Sequence, residues 1–139
     1  RLLACLLFGS AAWKAAARDR WIGWSAEQRP RHLHLVTNHT RFLVLPWVRV
    51  PHLASHLLGQ VAVRLSADWQ QKYGHPIYWV ESFVEPQRFA GTCYRAAGWV
   101  EVGRTTGRTR NDRAFQIQVP AKAIYLKGLV ADFRRRLTA

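Results

Sequence analysis

Apolar positions along this chain fall into short blocks whose spacing changes from one block to the next. Leu2 to Phe8 is an unbroken apolar run closed by Gly9-Ser10, the pattern of a strand buried on both faces. Ala11 to Trp24 opens on Ala-Ala-Trp-Lys-Ala-Ala-Ala-Arg, which argues for helix by propensity. Ser25, with Gln28 three residues on, is a capping box and predicts a helix from Ala26 to Val36 whose first turn is disturbed by Pro30. Asn38-His39-Thr40 reads as a turn, and Arg41 to Leu45 as a strand stopped by Pro46. Leu53, Leu57, Val61, Leu65 and Trp69 then recur every four residues, one face of a helix that Pro51 opens and Gly74 closes. Pro76 to Val84 is β-rich by residue type, Pro86 to Ala97 is a short helix ended by Gly98, and Trp99 to Gly103 alternates like a strand. Thr105 to Asp112 reads as an exposed loop, Ala121 to Leu129 as a last strand and Val130 to Leu137 as a basic helix. This order predicts an α/β (α+β) fold, with a crossover between parallel strands.

Composition narrows the class. At 139 residues the chain is one domain's worth, and an apolar share of 49% with seven Trp excludes a disordered tail. The formal net charge of +13 favours a polyanionic partner: nucleic acid, the phosphates of CoA, or an acidic protein. A solvated basic surface is the plainer alternative. Cys5 and Cys93 make no disulfide framework and read as buried thiols. No run is long enough to span a membrane and none resembles a signal peptide, so the expectation is a cytoplasmic protein with no membrane partner. The chain has no Met and begins inside an apolar run, so it reads as a fragment lacking its native N-terminal region.

Candidate chemistry centres on the junction from Val44 to Leu58. A strand-to-helix turn presents free backbone N–H groups and the positive end of a helix dipole, a cradle for phosphate. The residues run Val44-x-Pro46-x-x-Arg49, then His52, Leu53, Ala54 and Ser55, then Leu57-Leu58. Farther on, Tyr94 stands four residues before Gly98-Trp99. In this order the two stretches resemble the core of the GNAT acyltransferases. That resemblance implies a GNAT-like mixed sheet flanked by helices, in which central parallel strands at Val44-Leu45 and Trp79-Val80 splay apart. A further strand would fall at Trp21 to Trp24. Acetyl-CoA or another acyl-CoA would lie in the gap, on Val44, Pro46, Arg49, His52, Leu53, Ala54 and Ser55. His52 stands where the family has a glycine, and its side chain would either crowd the phosphates or hydrogen-bond them. Tyr94 would protonate the departing CoA thiolate, and Gln87 stands where the family often has Asn.

Each role has a structural alternative: an ordinary packing turn, or a Tyr whose hydroxyl bonds the backbone. Glu81 is the best candidate for a base that deprotonates an amine acceptor, being an acid amid apolar residues, with Glu85 in reserve. The alternative is a carboxylate paired with an arginine. Arg104, Arg108, Arg110 and Arg113 on the basic loop, with Arg134 to Arg136 at the end of the chain, suit sequence-independent phosphate contacts or simply a solvated surface. His52 and His56 stand one helical turn apart without an adjacent Glu or any Cys-x-x-Cys, so no metal is expected.

Longer strings give a more specific match. Trp21-Ile-Gly-Trp24, Asn38-x-Thr40-Arg-Phe-Leu43, Leu45-Pro-Trp-Val-Arg-Val-Pro51, His52-Leu-Ala-Ser-His56, Phe83-Val84, Arg88-Phe89-x-Gly91-Thr-Cys-Tyr-Arg-Ala-Ala97-x-Trp99 and Gly103-x-Thr105-x-Gly107-Arg108 resemble the DruA family. That family is named for the Druantia anti-phage defence system and is also found near, or fused to, transposases. The resemblance spans nearly the whole chain and implies a bacterial defence or mobile-element protein, with other defence subunits or a transposase as partners. It implies no reaction. Gly98 departs from the family's asparagine. The alternative to acyl transfer is a non-catalytic nucleic-acid-binding module of a defence or transposition system.

Overall fold

A computed structural model describes residues 2–86, 91–105 and 121–139. Its elements run β1 (Ala4–Ser10), α1 (Ala16–Ile22), α2 (Gln28–His32), β2 (Val36–Val44), α3 (Leu53–Tyr73), β3 (Trp79–Val84), α4 (Thr92–Ala96), β4 (Val100–Arg104), β5 (Ala123–Gly128) and α5 (Phe133–Leu137). The strands form one mixed sheet in the order β1-β2-β3-β5-β4. Only β2 and β3 are parallel, and α3 is the crossover between them; the other pairs are antiparallel. The α/β class expected from the element order is the one observed.

Alternation along the central strands divides the interior in two. Val80 and Val84 of β3, with Ala123 and Tyr125 of β5, pack against Leu58 and Leu65 of α3 and against Tyr94 and Trp99. Trp79 of β3, with Ile124 and Leu126 of β5, packs against Ala17 and Ile22 of α1, Trp24 and Leu137. A strand with a core on each face must be apolar at nearly every position, which is why β3 and β5 lack a polar-out pattern. Among the described residues no helix is long and apolar enough to cross a membrane.

Several local expectations hold. Ser25 N–H donates to Gln28 Oε1 (2.8 Å) and Gln28 N–H to Ser25 Oγ (3.1 Å), a reciprocal capping box. Gly74 closes α3 in the left-handed conformation. Others are corrected. Residues 21–24 are not a strand: Trp21 and Ile22 end α1, with Gly23 as its left-handed cap. The helix after Ser25 is only Gln28–His32, followed by a 3-10 turn, and the chain is already extended at Val36. Asn38-His39-Thr40 is therefore strand, not turn, because β1 pairs with Asn38 and His39, β3 pairs with Asn38, and the sheet overrides local propensity. β1 is an edge strand, with Leu7 53% exposed rather than buried on both faces.

Candidate functional site

The parallel ladder between β2 and β3 is short. Val36 pairs with Trp79, Thr37 with Val80 and Asn38 with Glu81, and there it ends. Beyond that point β2 follows β1 to Val44, while β3 follows β5 to Val84. The strands part well before Leu45, earlier than the sequence placed the gap.

The first residues past the last pair, His39 and Ser82, are held together by side chains instead of backbone. Ser82 Oγ donates to the His39 carbonyl at 3.1 Å and lies 3.2 Å from the Tyr94 hydroxyl, which is itself 3.1 Å from His39 Nδ1. All three residues are buried. Phe8 stacks on the His39 ring at 4.7 Å, and Phe42, Tyr94 and Trp99 close around it, leaving Nε2 without a partner. Burial in this aromatic surround lowers the imidazole to about 4, against a smaller opposing pull from the Arg41 backbone, so the ring is neutral at neutral pH. Burial likewise raises the Tyr94 hydroxyl, partly offset by its hydrogen bond to Ser82.

Tyr94 reaches this point because α4 packs beside α3 and β4, with the Tyr125 side chain of β5 beneath it. Gly91, which precedes α4, has φ of 72°, and a Cβ there would collide with the Tyr125 hydroxyl. The Tyr125 ring stacks on Tyr94 at 5.5 Å.

Past the parting strands lies a groove of about 340 Å³. Val44, Val48, Val50, His52, Leu53, Ala54 and Ser55 line one side of it, and Thr92, Cys93 and Ala96 of α4 line the other. Most residues expected to hold a cofactor are thus brought to one wall. Pro46 and Arg49 are not on it: the Arg49 guanidinium turns back to donate to the carbonyls of Pro46 (2.6 Å) and Val48 (3.1 Å). His52 is left-handed (φ 59°, ψ 18°) and alone among the described non-glycine residues in having positive φ. The first bond within α3 runs from His56 N–H to the His52 carbonyl, and Leu53 N–H makes a long contact with Val50. The amides of Ala54 and Ser55 belong to the first turn and have no acceptor in the helix.

Glu81 is placed differently. It is fully buried on the opposite face of the sheet from Tyr94, so the two proposed catalytic groups are not brought together. Its carboxylate accepts from Arg18 (2.8 Å), from Asn38 Nδ2 (2.9 Å) and from the Ala12 amide (3.1 Å). Arg18, itself buried, also bonds Asp19, which accepts from Trp24 Nε1 and pairs with Arg29. The arginine-paired alternative for Glu81 is the arrangement found.

Sequence reasoning missed Arg18, His39 and Ser82. An arginine directly after three alanines was the available signal for the first; nothing local marked the other two. Arg104 is exposed on β4, 3.8 Å from Glu101, whereas Arg108, Arg110, Arg113 and Gln87 lie outside the described residues. Among the described residues no group of three or more His, Cys, Asp or Glu is placed to hold a metal ion.

Comparison with the curated proteins finds no match to the chain. Comparison with protein families does: the profile described as Druantia protein DruA matches residues 1–130, which take in the parting strands, the groove and all the elements up to β5. The long strings that suggested this family lie within the matched span, and the chain belongs to the DruA family.

Proposed function

We propose that this DruA protein binds an acyl-CoA in the groove beyond the parting of β2 and β3, on a GNAT-like core, and transfers its acyl group. The observation that carries the reading is the early end of the β2–β3 ladder. It frees β2 from β3 beyond Asn38, and the groove lies where β2 ends at Val44 and α3 begins. Unpaired strand edges can hydrogen-bond the amides of an extended pantetheine arm, while the Ala54 and Ser55 N–H groups and the helix dipole suit its pyrophosphate. Aliphatic walls from Val44, Val48 and Val50 suit the apolar remainder. The bound thioester supplies an activated acyl carbon. An amine acceptor attacks that carbon and the C–S bond breaks; Tyr94, on the same helix as Cys93 but behind the groove lining with its hydroxyl on Ser82 and His39, is the proton source we assign to the leaving thiolate. Glu81 is tied to Arg18 and is assigned no part in the reaction.

Cys93 on the groove wall gives a direct test. Alkylation of the Cys93 thiol at alkaline pH is expected to slow when acetyl-CoA is added, and the melting temperature is expected to rise with ligand concentration. Tyr94→Phe should keep both effects while losing turnover. Unchanged alkylation and melting with millimolar acetyl-CoA would remove the reading.

A second reading follows from charge. Among the described residues, Asp19, Asp68, Glu81, Glu101 and Asp132 are already in ion pairs with arginine. A net charge of +13 therefore leaves much of the basic surface without counter-charge. That surplus suits a nucleic acid, or an acidic face on another Druantia subunit or a transposase.

A further inference from the structure

Because β2 and β3 are parallel, both begin at one end of the sheet and the groove lies at the other. At the beginning end four segments converge. His32 Nε2 donates to the Ala139 carbonyl (2.9 Å) and Gln28 Nε2 to that of Thr138 (2.6 Å), which ties α2 to the stretch after α5. Tyr78 N–H donates to the Leu35 carbonyl (2.8 Å), and the His34 and His75 rings meet edge to face at 5.0 Å. The Arg136 guanidinium lies 4.8 Å from the centre of the Tyr78 ring. Arg31, Arg134, Arg135 and Arg136 are all exposed here. The acids in these segments are Glu27 and Asp132, and Asp132 is shared by Arg135 and Arg136 at 2.7 and 2.8 Å.

Two of these guanidinium groups lie over aromatic rings, Arg134 3.9 Å from the centre of Trp21 and Arg136 over Tyr78, and their Nε groups donate to the Trp21 carbonyl and to Asp132. Side chains anchored in this way lose less entropy when they meet an oxyanion. The His32 and His75 imidazoles lie beside His34, and burial first, then these two neighbours, hold His34 below the ordinary histidine value.

We propose that this end of the sheet docks the phosphate backbone of a nucleic acid, held by Arg31, Arg134, Arg135 and Arg136 beside the His34–His75 pair, without reading bases. The inference rests on the charge-based reading and is independent of the groove. The two sites are separated by the length of α3, whose 21 residues span about 30 Å.

The test measures binding of labelled duplex and single-stranded oligonucleotides of unrelated sequence by anisotropy over a range of salt. The wild-type chain is expected to bind all sequences, with affinity falling steeply as salt rises. The triple variant Arg31→Gln, Arg135→Gln, Arg136→Gln should bind every sequence about tenfold or more weakly, with a salt slope smaller by about 2 to 3. Arg64→Gln, on the exposed face of α3, should bind as wild type, and circular dichroism melting should show the triple variant folded. Wild-type affinity in a folded triple variant, with loss instead in Arg104→Gln, would overturn the placement while leaving nucleic-acid binding intact. No binding of any oligonucleotide by the wild type at low salt would overturn the charge-based reading as well. Equal affinity for poly-glutamate or anionic vesicles, lost equally in the triple variant, would show that the surface does not select nucleic acid.

Discussion

His39 shows how much one side chain can depend on its surroundings. In the unfolded chain its imidazole titrates near the ordinary 6.5, whereas in the fold it titrates at about 4 because Phe8, Phe42, Tyr94 and Trp99 exclude water. Between those values the unfolded chain binds the extra proton, so acid favours unfolding. Stability from this residue is complete above pH 6.5 and drains away as pH falls to about 4, by an amount on the order of 3 kcal/mol. Denaturant titrations across that range are expected to show the loss in the wild type and a flatter profile in His39→Gln. An equally steep profile in the variant would assign the effect elsewhere. None of this was readable beforehand, since Asn-His-Thr is turn-like in composition and only the strands on either side make it extended. Glu81 was half legible. Its apolar setting was evident, but its partner lies 63 residues away in Arg18, and no local pattern announces a contact at that separation. Both ions are buried, and removing one partner of such a pair is strongly destabilising, which explains a carboxylate fixed for structure and not for proton transfer.

The joint between β2 and α3 was the best-read element. Its site residues came from spacing and resemblance, and Val44, His52, Leu53, Ala54 and Ser55 do gather on one wall. The left-handed backbone at His52 is one that glycine adopts freely, whereas a Cβ in this region carries a penalty of roughly 1 kcal/mol. His52→Gly is accordingly expected to stabilise the fold by about 1 kcal/mol in denaturant midpoints, and to tighten acetyl-CoA if the imidazole obstructs the cradle. A destabilised variant would mean that His52 makes contacts worth more than its strain. Helix caps were equally legible, since the Ser25–Gln28 box and Gly74 act through neighbours a few residues away. Element ends were less so. α2 stops early because Val36 is drawn into the sheet beside Trp79, a long-range demand that periodicity does not record.

Across the whole molecule, the sheet separates two chemistries by position. Its central strands are buried on both faces, so exposed polar groups collect at the two ends and at the edges. One end carries the groove and the other a concentration of arginine. The α/β class and the family were legible from element order and long residue strings, whereas the point at which the strands part was not, because it depends on where a side-chain clasp replaces the ladder. That replacement leaves a kinetic signature. Beyond the bulge at Thr40, successive amides of β2 point alternately toward β1 and toward the wedge, and only the first set is bonded across to a neighbouring strand. Deuterium should therefore enter residues 41–44 in an every-other-residue rhythm, fast where the amide looks into the opening and slow where it is tied to β1. A ligand lying along that edge would slow the fast set alone and erase the rhythm. Uniform uptake along the strand would mean that the wedge is closed in solution.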